Sequence, residues 1–170
     1  KVVVYTTPHP DSESFDQQQT HKIIRSKQRV LLPTKQVANQ IRSVAKDEDI
    51  DFIMYDPAVP IGILGPKIRI PYGVILHGAE VTIPGRVPIA RALIANVLQN
   101  AKLVVTAGDY STKEAIRAAK QDLPICVIPP GVDIDRFKPL DEQTRSTARG
   151  RFNFRDDDEV ILTLSRLVPR

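Results

Sequence analysis

The 170-residue sequence holds one cysteine and lacks the glycine-rich and serine motifs of several common enzyme classes. Cys126 cannot form an internal disulfide, and its apolar neighbours predict a small buried side chain in a reducing compartment. No G-x-G-x-x-G follows a strand and there is no Walker loop, so the usual binding of dinucleotides or nucleoside triphosphates lacks its glycine cradle. The missing G-x-S-x-G elbow argues against hydrolase chemistry.

Histidines and long apolar runs are also scarce. His9, His21 and His77 are scattered without acidic residues at ligand spacing, so we expect no metal site. No apolar run is long enough to span a bilayer, and the first residues show no signal-peptide pattern. We therefore expect a cytoplasmic protein.

Acidic residues are scarce in two long basic stretches. The formal net charge is +4, yet residues 17–46 contain no acid, and Glu80 is the one acid within residues 57–108. The pattern predicts a face that attracts phosphate or an anionic membrane, although ordinary solvated lysines and arginines would produce it too. The stretches carry no interleaved aromatic residues, so we expect no nucleic-acid partner.

The sequence does contain apolar, β-branched runs that alternate with helical segments. The predicted strands are 2–5, 23–24, 52–55, 72–76, 103–105 and 125–128. Helices are predicted after Thr34, after the residues 56–60 and from Pro88. A further helix is predicted after a cap at Asp109 or a Ser111–Glu114 capping box. Residues 8–21 are predicted to form an exposed loop. In the helix from Pro88, one stripe is predicted to contain Ile89, Ala92, Leu93, Asn96, Val97 and Asn100. This alternation predicts an α/β fold with a Rossmann-like parallel sheet and right-handed crossovers.

Residues 127–139 predict a hinge. The strand before them stops at two prolines, and Gly131 permits a backbone conformation closed to other residues. Asp133 and Asp135 are expected to cap the following turn, ahead of a polar helix at 141–151 and a strand at 160–164. We predict one domain over residues 1–131, and a linker with the start of a second domain over 132–170.

His77 is the first candidate for a site residue. It directly follows the predicted strand 72–76, and open α/β sheets bind ligands at the carboxyl ends of their strands. Gly78 beside it lets a ligand approach the backbone closely. A loop histidine without a role is the alternative. Arg166 is the second candidate, because it follows the run 160–164 and a guanidinium binds phosphate oxygens bidentately.

Several motifs resemble those of retaining GT-B glycosyltransferases of family 4, which include the bacterial phosphatidylinositol mannosyltransferases. They are Leu32-Pro33-Thr34, His77-Gly78-Ala79-Glu80, Gly131-Val132-Asp133 with Phe137 and Pro139, and Ser165-Arg166-Leu167-Val168-Pro169-Arg170. The resemblance implies that His77 hydrogen-bonds the transferred sugar, with its backbone carbonyl near the anomeric carbon. It implies donor contacts for Gly78, Glu80 and Arg166, although Glu80 could serve only to order its loop. Arg170 stands one position before the family's pyrophosphate lysine and has a weaker claim.

The same resemblance implies the partners. It implies GDP-mannose as the donor, an inositol phospholipid as the acceptor and peripheral contact with the inner membrane face, with no metal or cofactor. The chain departs from the family in lacking the first strand with its glycine-rich loop, the pyrophosphate lysine and most of the donor-side lobe. We therefore expect an acceptor-side lobe with a stub of the donor-side lobe, inactive alone.

Other interpretations stay open. A sugar-nucleotide epimerase shares the two-lobed architecture, and a non-catalytic phosphate- or membrane-binding module would not depend on His77. The tail Leu167-Val168-Pro169-Arg170 also matches a protease-cleavage sequence used in protein expression, so it is either native or foreign.

Overall fold

The computed structural model describes residues 1–78 and 88–164. Within these ranges the chain forms six strands, six α-helices and one 3₁₀ turn. In chain order they are β1 Val3–Thr6, α1 Ser12–Gln17, β2 Lys22–Arg25, α2 Lys35–Asp47, β3 Ile53–Tyr55, the 3₁₀ turn Ile61–Leu64, α3 Gly65–Ile68, β4 Tyr72–Leu76, α4 Pro88–Asn100, β5 Leu103–Thr106, α5 Asp109–Ala119, β6 Ile125–Val127 and α6 Glu142–Gly150.

All the strands pair in parallel, as expected of strands joined through helices. β1 and β2 form a two-stranded sheet, and the other four form a sheet in the order β3-β4-β5-β6. The predicted α/β fold with parallel strands is confirmed. β4 lies inside the larger sheet, and its run Tyr72–Leu76 is almost wholly buried because neighbouring strands and helices cover it.

The hydrophobic core lies around β4, β5 and the helices that pack against them. Its most deeply buried side chains are Val37, Val74, Leu76, Val97, Leu98 and Val104. The predicted stripe of α4 is confirmed at Val97 and wrong at Leu93, Asn96 and Asn100, which are exposed. The buried positions are Ile94, Val97 and Leu98 within the helix and Ala101 just after it. These four fall at i, i+3, i+4 and i+7, so they form a fully apolar face, whereas the predicted stripe included two asparagines.

The predicted helix caps are confirmed for α2 and wrong for α5. The Thr34 side chain accepts a hydrogen bond of 3.2 Å from the Val37 amide, which confirms the predicted N-cap of α2. α5 starts instead from Gly108 without a side-chain cap, so the predicted cap at Asp109 and the Ser111–Glu114 capping box are wrong. The Ser111 hydroxyl donates to the Gly108 carbonyl at 2.9 Å, so its hydrogen bond goes to the N-cap carbonyl and does not cap a free amide of the helix.

Two further predictions about the first 130 residues fail for tertiary reasons. Residues 8–21 are not a plain loop, because α1 forms there and its Asp16 makes a two-bond contact with Arg25. Cys126 is exposed rather than buried, because β6 is an edge strand of the four-stranded sheet. A continuous apolar run therefore does not ensure burial on both faces.

The chain divides into two compact units, Lys1–Pro130 and Gly131–Arg170. In the second unit, Asp133 caps a turn by accepting hydrogen bonds from the amides of Asp135 and Arg136, as predicted for Asp133. The left-handed glycine among the described residues is Gly78 (φ 113°), so the special conformation predicted for Gly131 is wrong. The assignment of the two parts as acceptor-side and donor-side lobes stays a prediction.

The strand predicted at 160–164 is not formed. Ile161, Leu162 and Leu164 are each at least 84% exposed, and no described strand pairs with this segment. Strand propensity alone cannot supply the ladder hydrogen bonds that define a strand, so an apolar run without a neighbour stays irregular.

Candidate functional site

The candidate site lies at the carboxyl end of the four-stranded sheet, where His77 and Asp56 meet. The His77 Nε2 and Asp56 Oδ1 atoms are 2.7 Å apart, which is a short, charge-assisted hydrogen-bond distance. The side chains remain 60% and 54% exposed, so they can contact a ligand while they contact each other. A carboxylate paired with an imidazole can orient the ring and set which nitrogen carries the proton.

Strand register explains why these two residues come together. Asp56 directly follows β3 and His77 directly follows β4, and these strands are parallel neighbours in which Tyr55 lies opposite Val74. Parallel strands bring their carboxyl ends to the same edge of a sheet, which is where open α/β sheets bind ligands.

Two glycines follow the ends of β4 and β5. Gly78 and Gly108 each come two residues after the last paired residues of the β4–β5 ladder, Leu76 and Thr106. A Cβ added at either glycine would meet no heavy atom of the described residues within 4 Å. Gly78 has φ of 113°, a backbone conformation that favours glycine.

The neighbouring turn between β5 and α5 is held by its own hydroxyl groups. The Thr106 and Thr112 Oγ1 atoms are 2.7 Å apart, and the Ser111 hydroxyl bonds to the Gly108 carbonyl. Thr106 and Ser111 are buried and the two bonds are partly buried, so they hold the turn that contains Gly108 after β5. The site therefore combines an exposed His–Asp pair with a rigid backbone edge.

A comparison with known families identifies the family of the chain. Residues 1–136, more than half of the chain, match the family described as Glycosyltransferase Family 4. The chain belongs to glycosyltransferase family 4. The resemblance inferred from the sequence motifs is therefore confirmed.

The relatives of this family 4 chain include mannosyltransferases. It is 28% identical over its whole length to the GDP-mannose-dependent alpha-(1-6)-phosphatidylinositol monomannoside mannosyltransferase of Mycolicibacterium smegmatis, of which it covers 46%. It is 25% identical over 94% of its length to the GDP-mannose-dependent monoacylated alpha-(1-6)-phosphatidylinositol monomannoside mannosyltransferase of Corynebacterium glutamicum, of which it covers 43%. The chain thus spans about half the length of the curated relatives it matches.

Among solved structures, the family 4 chain is similar to Anabaena Alr3699/HepE, which was crystallised in complex with UDP. The TM-score is 0.61 at 14% identity, and the match covers 89% of this chain and 50% of the other. Likeness at this identity concerns the fold, and it confirms the predicted GT-B type of α/β architecture.

Several predicted site residues of the family 4 chain fall outside the described residues. Glu80 lies within the undescribed segment 79–87, and Arg166 and Arg170 lie beyond residue 164. The structure therefore places His77 and Gly78 and leaves the other three as predictions. Across residues 1–78 and 88–164, no three His, Cys, Asp or Glu side chains group as a metal ion would require.

The sequence pattern at 56–60 predicts a helix entry and by itself gives Asp56 no role in the site. The helical backbone begins later, at Ile61, and Asp56 instead points to His77. The signal was present in the sequence, because Asp56 directly follows β3 just as His77 directly follows β4. A polar residue after each of two neighbouring parallel strands is the pattern that would have found the pair.

The basic stretches of the family 4 chain are partly neutralised. Lys22 contacts Glu48, and Arg25 binds Asp16 with distances of 3.0 and 2.6 Å. Hydrogen bonds from Arg25 hold the pKa of Asp16 below its ordinary value, and hydrogen bonds from Lys22 and then Lys1 do the same for the pKa of Glu48. These cations therefore have structural partners.

The segment between β2 and α2 differs. Here Lys27 and Arg29, and Lys35 at the start of α2, are exposed, next to Val30 and Leu32, which are 60% and 50% exposed. Cations and apolar side chains are therefore exposed side by side in this part of the chain. Among the described residues, no helix combines the length and the apolar character that a transmembrane segment needs.

Proposed function

We propose that the complete protein is a metal-independent, retaining hexosyltransferase that moves a mannosyl unit from GDP-mannose to an inositol phospholipid. Family membership supports glycosyl transfer, and the relatives named as GDP-mannose-dependent phosphatidylinositol mannosyltransferases support this donor and acceptor. The observation that carries the proposal within the chain is His77, exposed at the ligand-binding edge of the sheet and paired with Asp56.

In this proposal His77 contacts the transferred sugar. Its imidazole hydrogen-bonds a sugar hydroxyl, and the backbone carbonyl near the anomeric carbon stabilises the positive charge that develops as the bond to the nucleotide breaks. Gly78 supports this role because its backbone conformation leaves the close approach open. Glu80, Arg166 and Arg170 are proposed as further donor contacts, with the two arginines on the diphosphate.

The acceptor is proposed to be reached at the inner membrane face through the segment 27–35. Its exposed Lys27, Arg29 and Lys35 attract anionic headgroups, and Val30 and Leu32 enter the interface. Vesicles containing phosphatidylinositol should sediment the protein in a salt-sensitive manner. The double variant Lys27→Glu/Arg29→Glu should reduce this binding several-fold, whereas Lys113→Glu on α5 should not. Equal binding by both variants would refute this surface.

The decisive experiment is radiolabel transfer by the complete protein. GDP-mannose labelled in the sugar is incubated with phosphatidylinositol vesicles, and label is counted in the organic phase. We expect transfer that persists in a metal chelator and a product of retained anomeric configuration by NMR. Changing His77→Ala should lower kcat/KM by about 10²- to 10³-fold, the cost of removing one group that contacts the transition state.

His9→Ala is the matched control, because His9 is exposed on the loop before α1, 67% accessible, and takes no part in the pair. Full transfer by the His77→Ala variant would remove His77 from the site. A nucleotide released without a glycolipid product would favour the epimerase, and lipid binding without any turnover would favour the non-catalytic module.

A further inference from the structure

We infer that Asp56 is a positioning residue for His77: its carboxylate selects the Nε2–H form of the neutral imidazole and fixes the ring at the carboxyl end of β4. The inference deepens the proposed function, since its effect on catalysis depends on His77 acting on the sugar. Its structural part depends on the Asp56–His77 contact alone, with the two atoms 2.7 Å apart.

The chemistry of the two groups determines the proton position. An ionised carboxylate only accepts hydrogen bonds, so a contact at 2.7 Å requires that His77 Nε2 carries the hydrogen. In the neutral ring Nδ1 then holds a lone pair and accepts hydrogen bonds. A sugar hydroxyl that bonds to this nitrogen must therefore act as the donor, which restricts how a hexose can be oriented at His77.

The backbone makes Asp56 a fixed support. On one side, Tyr55 lies opposite Val74 in the β3–β4 ladder and is 4% exposed. On the other side, the Ala58 amide donates to the Ile75 carbonyl at 3.2 Å, and Ala58 is 1% exposed. Asp56 is thus bounded by two attachments to β4, the strand that leads directly to His77.

Exposure argues that this contact serves geometry more than stability. The Asp56 and His77 side chains are each more than half exposed, and ion pairs between exposed groups contribute little to folding. Variants of Asp56 should therefore fold normally. The contact adds little to the stability of the fold and lies at the ligand-binding edge of the sheet. Both features are expected of a group that orients another group for chemistry.

Nitrogen NMR of the chain tests the structural part directly. The sequence has three histidines, so the ring signals of His77 are assigned by their loss in His77→Gln. We expect wild-type His77 to show a single Nε2–H tautomer and an ordered ring. Asp56→Ala should lower the share of the Nε2–H tautomer and give a more mobile ring, whereas Asp56→Asn, whose carbonyl oxygen still accepts, should keep the Nε2–H form.

Asp51→Ala is the matched control, because Asp51 is exposed and lies just before β3, at the opposite end of the strand from Asp56. It should leave the His77 signals unchanged. Wild-type-like His77 signals in Asp56→Ala, in a sample that folds normally, would overturn the inference.

Kinetics of the complete protein test the catalytic part. A mispositioned ring should lower kcat by about 10- to 100-fold in Asp56→Ala with little change in the KM for GDP-mannose, and Asp56→Asn should recover part of the loss. Altered His77 signals with unchanged kcat would overturn the positioning role. If the wild type transfers no sugar at all, the proposed function fails while the NMR result still decides which tautomer Asp56 selects.

Discussion

At the scale of single residues, two core tyrosines are both buried but differ in whether the hydroxyl makes a hydrogen bond. The rings of Tyr55 and Tyr72 pack edge to face, with centroids 5.6 Å apart. The Tyr72 hydroxyl donates to the Val97 carbonyl at 2.7 Å, whereas the buried Tyr55 hydroxyl has no hydrogen-bond partner among the described residues. Burial raises the pKa of Tyr72 to about 12. The pKa of Tyr55 is also raised, mainly by burial and to a smaller extent by the nearby Tyr72 hydroxyl.

The two hydroxyls should therefore respond oppositely to removal. Tyr72→Phe should lower the free energy of unfolding by about 1 kcal/mol, because it leaves a buried carbonyl without this donor. Tyr55→Phe should leave that free energy unchanged or raise it, because it removes a buried hydroxyl that makes no hydrogen bond with the described residues. Urea denaturation of the two variants measures both values. An equal loss in Tyr55→Phe would show that the Tyr55 hydroxyl has a partner.

Residue-scale prediction from sequence worked where one element decided the outcome. His77 was found because it follows a long buried strand, and this feature is local. Asp56 was missed because its importance comes from the pairing of β3 with β4, which the neighbouring prolines do not reveal. Cys126 was placed in the core because its neighbours are apolar, while its exposure depends on the edge position of β6.

At the scale of elements, Glu48 joins three of them. It follows α2 directly, and its carboxylate contacts Lys22 at the start of β2 and, at 3.1 Å, Lys1 just before β1. The Lys1 ammonium also donates to the Glu48 carbonyl oxygen at 2.9 Å. The cluster connects the end of α2 to both strands of the two-stranded sheet. Because the Glu48 side chain is 11% exposed, water reaches its carboxylate only in part.

The cluster should make stability depend on pH in acid. Hydrogen bonds from Lys22 and Lys1 hold the pKa of Glu48 below its ordinary value of 4.5, so the unfolded chain takes up the proton first. The stabilisation is present above pH 4.5 and is lost as the pH falls through the lower, folded-state pKa. Glu48→Gln should therefore reduce the slope of unfolding free energy against pH below 4.5, measured by urea titrations.

Asp49→Asn is the control for that titration, since Asp49 is exposed beside Glu48 and has no contact among the salt bridges of the described residues. It should leave the acid slope close to that of the wild type. The same reduction in Asp49→Asn and Glu48→Gln would assign the slope to net charge and would contradict a specific role for the cluster.

Element prediction depended on whether the pattern matched a complete apolar face. β4 was predicted with its observed bounds, Tyr72–Leu76, because every residue in the run is suited to a buried strand. α1 was missed because it buries no residue and so has no apolar period to detect. On α4, two asparagines entered the predicted stripe, because a 3.6-residue period alone does not decide which of two neighbouring faces packs.

At the scale of the whole molecule, burial is confined to one unit. Every residue of the hydrophobic core belongs to Lys1–Pro130, and no described residue from Gly131 to Leu164 is buried. The second unit instead depends on local bonds, such as Asp141 accepting from the Thr144 amide at 2.8 Å. Sequence patterns indicated a change near residue 131, since prolines and glycine are local signals, but β propensity placed a strand at 160–164 where no described strand pairs with the run.

This distribution of buried side chains predicts that residues 1–130 carry the cooperative stability of the chain. A chain ending at Pro130 should unfold in a single transition, and its Tm should lie within about 4 °C of that of the 170-residue chain, since burial supplies most of the folding free energy. Circular dichroism and calorimetry measure both. Ending the chain at Lys120 is the matched control, because it removes β6, whose Ile125 packs on the core, and should lower the Tm strongly. A chain ending at Pro130 that melts without a transition would show that residues beyond it complete the core.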